Sequence, residues 1–266
     1  NIYVANQNFL IQTSPNQVAT PGRTKNEWRN ESGFTAIKED GSIVSWGWDD
    51  ASSVIIDSPV RQVVSSRNGF AALLNDGSIT SWKTTGSEIN RTEWYYQRDD
   101  IGSIYSTENL FIALTKNGEI VSQNNNFNFQ NITEIATTSG AISFLKADGS
   151  VLDWEDGANN GASSSWSQLP NEPVNKIYSA AHINDGVYGS DWGGFAATTN
   201  QGAVKGWGYY GVIGGSPNLN VTNVEKIFST KDIWAGLQND GTLITWQHNK
   251  YNPRYEIKAV NIKNVF

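Results

Sequence analysis

The sequence predicts an all-β protein assembled from copies of one small antiparallel sheet. Three observations predict it. The first is the stretch at 33–47, Gly-Phe-Thr-Ala-Ile-Lys-Glu-Asp-Gly-Ser-Ile-Val-Ser-Trp-Gly, where Asp40-Gly41 separates two runs rich in β-branched and aromatic residues. A two-residue type I′ hairpin loop needs positive φ at both central positions, which glycine and aspartate tolerate better than most. The second is that the turn recurs, at Asp76-Gly77, Asn117-Gly118, Asp148-Gly149, Gln201-Gly202 and Asp240-Gly241. The third is what stays in step with it. Six residues before each turn stand Phe34, Phe70, Phe111, Ile142, Phe195 and Trp234. Four before stand Ala36, Ala72, Ala113, Phe144, Ala197 and Gly236, and six after stand Trp46, Trp82, Gln123, Trp154, Trp207 and Trp246.

A further strand precedes each of the later hairpins, at Val60–Ser65, Ile101–Ser106, Ile132–Thr137, Val174–Ser179 and Val224–Ser229. Each unit therefore offers three or four strands in succession, a local antiparallel meander. Meanders repeating about every 40 residues, with variable segments between, are the signature of a β-propeller. The Phe and Trp columns are expected to fill the space between neighbouring sheets, where aromatic burial contributes most. The small column is expected where inner strands crowd an axis.

A worn seventh copy opens the chain, with Phe9, Ile11 and Pro15-Asn16 in the same columns. Seven copies favour seven blades, and six or eight also fit. A last strand is expected over Val260–Phe266. Its end matches the earlier units, and Ile2-Tyr3 resembles the same element, so the N- and C-terminal strands are expected to meet in one blade and close the ring. Residues 1–266 then form a single β-propeller domain, expected to be a fragment of a longer chain.

Taken in order, the worn repeat leads through the polar connection Pro21–Glu31 to the first full hairpin. Gly47–Ser53 is a polar loop holding Trp48 and Asp49. The second hairpin ends at Trp82, and Thr84–Asp100 holds Trp94-Tyr95-Tyr96 beside Arg91, Arg98 and Asp99-Asp100. The third runs into an Asn-rich stretch at 124–126, and the fourth into Glu155–Gly161 and Trp166. The longest spacing comes next, with His182, Asp185, Asp191 and Trp192 inserted before the hairpin at Gly194. The fifth ends in Trp207-Gly208-Tyr209-Tyr210-Gly211, the sixth at Trp246.

Composition narrows the function. The net charge of −7 argues against a nucleic-acid partner, which calls for a basic face. Cysteine is absent, which excludes disulfides and thiolate metal sites. No apolar run is long enough to span a membrane, so no membrane insertion by this segment is expected. Charged residues make up only 17%, so neutral polar residues must carry solubility.

Asp40-Gly41-Ser42-Ile43-Val44-Ser45-Trp46-Gly47 resembles the repeat of the RCC1 family of β-propellers, as does Trp207-Gly208 with Gly211 and Gly214-Gly215. Lys146-Ala147-Asp148-Gly149-Ser150-Val151, Ile104–Thr107 and the Ser-rich segments at 51–53 and 163–165 are similar to a bacterial version of that repeat. That version occurs in long secreted and surface-anchored, often adhesin-like, proteins. The resemblance covers nearly the whole chain and implies an extracellular or bacterial cell-surface location. Eukaryotic members include a guanine-nucleotide exchange factor for a small GTPase, but no functional residue of theirs is matched here. The chain departs from the pattern at Gln123 and Glu155, and in its first repeat.

Fixed spacing across the repeats assigns the Trp column to packing rather than to ligand stacking. The aromatics of the variable segments are the candidate ligand-binding residues: Trp48, Trp94, Tyr95, Tyr96, Trp166, Trp192, Tyr209 and Tyr210, with Asp49 and Asp191 beside them. Loops carry function when a rigid scaffold holds them. Aromatics beside Asn and Asp suit a sugar face or a protein hot spot; covering the ends of the core is the competing explanation for each. His182 with Asp185 and Ser179 lacks the glycines of a nucleophile elbow. Asp153, Glu155 and Asp156 lack calcium-loop spacing, so they read as a polar turn, and Asp49-Asp50 and Asp99-Asp100 as solvated charge. Sequons at Asn30, Asn90, Asn131 and Asn220 are expected by chance in an Asn-rich chain.

No catalytic residue, metal or cofactor is therefore expected. The reading is a non-enzymatic, monomeric recognition domain that binds a glycan or a host-cell surface protein through rim loops. A structural spacer within a large adhesin is the alternative, followed by a nucleotide exchange factor.

Overall fold

The computed structural model describes residues 9–12, 33–47, 55–56, 58–67, 69–83, 96–123, 127–138, 140–155, 170–181, 193–208, 221–229, 233–247 and 255–262. The chain divides into two compact units, one of Asn1–Ala19 with Glu27–Asn131, the other of Thr20–Asn26 with Ile132–Phe266.

Among the described residues the first unit holds three antiparallel meanders. The first joins β1 (Phe9–Gln12), β2 (Gly33–Lys38), β3 (Ile43–Gly47) and β4 (Ile55–Ile56); the second β5 (Val60–Ser65), β6 (Gly69–Leu74) and β7 (Ile79–Lys83); the third β8 (Ile101–Ser106), β9 (Phe111–Thr115) and β10 (Ile120–Ser122). The second unit holds three more. They are β11 (Ile132–Thr137), β12 (Ala141–Lys146) and β13 (Val151–Glu155); β14 (Val174–Ala181), β15 (Gly193–Thr199) and β16 (Val204–Gly208); and β17 (Val224–Ser229), β18 (Ile233–Gln238), β19 (Leu243–Gln247) and β20 (Tyr255–Ala259).

The six hairpins stand where the turn pairs place them, but the turn is not the two-residue type I′ loop. Gly41 N–H donates to the Lys38 carbonyl at 2.9 Å and Lys38 N–H to the Ser42 carbonyl at 2.8 Å. Positive φ falls on Gly41 (82°) and not on Asp40. This is a three-residue loop, a type I turn closed by a left-handed glycine. The aspartate side chain then caps the start of the returning strand: Asp40 Oδ1 accepts from Ser42 Oγ at 2.6 Å and from Ser42 N–H at 2.9 Å.

The columns face each other across each hairpin. Phe34 lies opposite Trp46, Phe70 opposite Trp82, Phe195 opposite Trp207 and Trp234 opposite Trp246. Their rings stack, at 5.7 Å between centroids in the first three pairs and 6.4 Å in the last. Three of these pairs fill the gap to the sheet before them, as expected. Phe70 and Trp82 pack with Ile43 of β3, and Phe195 and Trp207 pack with Ala136, Leu145 and Val151 of the β11–β13 sheet. Trp234 and Trp246 likewise pack with Tyr178 and Val204. In the small column, Gly236 has a local cause. A Cβ on Gly236 would sit 3.1 Å from Cζ3 of Trp246, so smallness at this place makes room for the indole.

Inner strands β5, β8, β11, β14 and β17 share a β-bulge at their second residue. Polar side chains then tie one inner strand to the next. Gln62 reaches the backbone of Ile104, Glu134 Oε2 accepts from Ile177 N–H at 3.3 Å, Ser106 Oγ donates to the Ser65 carbonyl at 2.6 Å, and Ser229 Oγ to the Ser179 carbonyl at 3.0 Å. The turn glycines add a backbone link. Val60 N–H donates to the Gly41 carbonyl, Val174 to Gly149, Val224 to Gly202 and Ile262 to Gly241, at 2.7–3.1 Å.

Two expectations change. Phe9 and Ile11 do not open a hairpin of their own: they pair with Lys38 and Ala36, so β1 takes the inner place in the first sheet, as Val63 does opposite Ala72 in the second. The strand expected from Val260 is not extended at its start. Asn261 adopts φ 63°, as Asn131 and Asn223 do before β11 and β17, and Ile262 then docks on Gly241. Asparagine tolerates this left-handed step, which at Asn131 and Asn223 turns the chain into β11 and β17. Residues 263–266 and Ile2-Tyr3, on which the expected closure rests, lie outside the described residues.

Candidate functional site

Each meander has two ends. In the first, second, fourth and fifth meanders one end carries the glycine turn and the start of the next inner strand; the strand after the turn runs to the other end, where the described residues stop before a variable segment. Trp48, Asp49, Trp94, Tyr95, Trp166, Asp191, Trp192, Tyr209 and Tyr210 all fall in variable segments and lie outside the described residues, as do His182 and His248.

Tyr96 is described. It bridges Ile79 through two backbone hydrogen bonds of 2.8 and 3.1 Å, extending the second meander by a fourth strand position. Its half-buried side chain packs against the cluster of Leu73, Ile79, Ile101 and Ile104. Next to it Arg98 joins Asp100 through Nε (2.6 Å) and Nη2, and Glu119 through Nη2 at 3.0 Å. Asp100, expected as solvated charge, is therefore engaged. The Arg98 hydrogen bond holds its carboxyl below the ordinary 3.8, and its carbonyl accepts from Lys116 N–H at 2.8 Å. No cluster of three or more His, Asp or Glu side chains suited to a metal lies among the described residues.

A concave site that the sequence did not single out lies at the turn end of the second unit. It is a cleft of about 400 Å³ between the β14–β16 and β17–β20 sheets. The fifth turn supplies Asn200, Gln201 and Gly202; the bulged start of β14 supplies Asn175 and Lys176; the start of β17 supplies Asn223, Val224 and Glu225; the sixth turn supplies Asn239. Thr198, buried at its edge, donates from Oγ1 to Asn175 Oδ1 at 2.7 Å. The Lys176 ammonium lies over the Tyr178 ring, 5.6 Å from its centroid. Burial, with the charge of Glu134 second, pushes the Tyr178 hydroxyl up to about 12, so it stays protonated at neutral pH. The lining is mostly amide and backbone, which donates and accepts hydrogen bonds without titrating. In a chain this rich in asparagine, no spacing marks Asn175, Asn200 and Asn239 as neighbours.

No protein-family model matches the chain, and no curated protein matches it in sequence. Solved structures do. Prp20p of Saccharomyces cerevisiae, the yeast RCC1 protein, is similar over 83% of this chain and 70% of its own, with 11% identity and a TM-score of 0.51; it was characterised for binding Gsp1p and histones. The CRINKLY WD40 ectodomain of the Arabidopsis thaliana receptor kinase ACR4 is similar over 83% of this chain and 80% of its own, with 10% identity and a TM-score of 0.50. At such identities the likeness shows the fold alone: an all-β propeller of the RCC1 kind.

Proposed function

We propose that this chain is a non-enzymatic recognition module of a bacterial secreted or surface protein, engaging a glycan or a host-cell protein through its rim segments. The observation that carries the reading is where the repeated aromatics are spent. Phe34, Trp46, Phe70, Trp82, Phe195, Trp207, Trp234 and Trp246 are stacked within hairpins, and the sheets are tied by side-chain and backbone hydrogen bonds. Within each unit the sheets are tied together and the aromatic columns are committed to packing, so recognition falls to the segments between strands. The solved neighbours support a protein-binding role through Prp20p, which binds Gsp1p and histones. The bacterial surface setting rests on the repeat resemblance. A glycan array and a cell-binding assay with folded protein test it; both blank would overturn it.

One observation favours the spacer reading. Tyr96, the single candidate among the described residues, packs against the core. A spacer predicts that deleting the domain from its host protein leaves adhesion intact. The exchange-factor reading requires the insertion at 180–193 to act as a wedge, and a nucleotide-release assay decides it.

A further inference from the structure

Arg61 is the extra residue in the bulge of β5, and it crosses to the next inner strand. Its Nη2 donates to the Ile101 carbonyl at 2.8 Å and lies 3.5 Å from the Gly102 carbonyl. The first two carbonyls of β8 thus take a guanidinium. In the second unit the same step runs from β14 to β17. Asn175 stands at the place of Arg61, and Val224 and Glu225 stand at those of Ile101 and Gly102. Asn175 is too short to cross, and its Oδ1 is engaged by Thr198. The equivalent space is the cleft, with Val224 and Glu225 in its wall.

We propose that this cleft binds the guanidinium of an arginine side chain presented by a partner protein. A guanidinium is planar, weakly hydrated and rich in N–H donors, which suits a wall of carbonyl and amide oxygens. Glu225 adds a carboxylate beside the two carbonyls, able to take an ion-paired hydrogen bond from the visitor in place of Lys226, whose exposed ammonium lies 3.4 Å from its Oε1. Of the lining residues the one cation is Lys176, whose ammonium lies over the Tyr178 ring. The overall charge of −7 favours a cationic visitor. The inference shares with the proposed function only the premise that the chain is a recognition module, and it uses the opposite end of the sheets.

The test is an NMR titration of the full chain with N-acetyl-arginine amide, against its neutral isostere N-acetyl-citrulline amide. Saturable shifts at the Asn175, Val224 and Glu225 amides are expected with the arginine probe, and at least tenfold weaker binding with citrulline. Asn175→Arg supplies from within the side chain that Arg61 supplies in the first unit, and should abolish the response. Glu225→Gln, at an exposed position, should weaken it severalfold. Scattered or non-saturating shifts, equal binding of citrulline, or undiminished binding by a folded Asn175→Arg variant would overturn the proposal. Should that variant fail to fold, unchanged binding by Glu225→Gln would do so. A blank glycan array and cell assay beside a positive titration would remove only the rim reading, and the converse only this one.

Discussion

The side-chain amide of Gln62 is bonded at both its ends to the backbone of Ile104. Nε2 donates to the Ile104 carbonyl at 2.8 Å, and Oε1 accepts from the Ile104 N–H at 3.0 Å. One side chain thereby replaces a pair of strand-to-strand hydrogen bonds between two sheets that do not otherwise share a ladder.

Removing it leaves a donor and an acceptor of a buried strand residue without their partner. Gln62→Ala is expected to cost about 2 kcal/mol in urea denaturation. Gln62→Glu keeps the acceptor and loses the donor, and should fall between the two.

The turn glycines differ in what surrounds them. A Cβ on Gly202 would lie 2.6 Å from the backbone nitrogens of Asn223 and Val224, at φ 71°. On Gly241 the nearest atom would be 3.2 Å away, at φ 82°. Gly241→Ala should therefore cost about 1 kcal/mol of backbone strain. Gly202→Ala should cost more, because backbone must move, and the order of the two melting temperatures checks it.

Trp207 is 1% exposed and stacks on Phe195. Trp207→Ala is expected to destabilise by about 4 kcal/mol through the cavity it leaves. Its indole N–H has no hydrogen-bond partner among the described residues. Trp207→Phe therefore forfeits no hydrogen bond there and should cost less, as denaturation curves will show.

Asp40, Asp76 and Asp148 are held below the ordinary 3.8 first by the hydroxyl of the serine two residues on and then by its N–H. In Asp240 the N–H of Thr242 leads. Depressed carboxylates contribute stability that is whole above their unfolded value and lost as pH falls through the folded one. Melting temperature is thus expected to hold down to about pH 4 and then fall as these groups protonate. Ser150→Ala should move the Asp148 titration back up towards 3.8, read from its carboxyl carbon shift.

The hairpins were readable because their chemistry is local and repeated. A glycine at each turn, with Phe and Trp at equal distances on either side, identifies strands β2–β3 or β18–β19 from the chain alone. The ties between sheets were not readable. Gln62 and Glu134 hold one position in their strands, but Ser103, Lys176 and Lys226 stand there in others. A bulge is a register event between two strands, so Arg61, Asn175 and Glu225 show nothing until the partners are paired. Phe9 and Ile11 misled because two aligned apolar residues suit an inner strand as well as a hairpin. Of the candidate residues, Tyr96 alone could be placed, and pairing with Ile79 put it at the edge of a sheet.

The glycine carbonyls that receive Val60, Val174, Val224 and Ile262 have an evolutionary corollary. Where one repeat hands over to the next is decided at that docking point, whatever number of residues lies between. Insertions and deletions in the connecting stretches therefore leave alignment downstream untouched. Such a chain can accept connecting stretches of different length and sequence, like interchangeable fittings on a standard mount, without disturbing the mount.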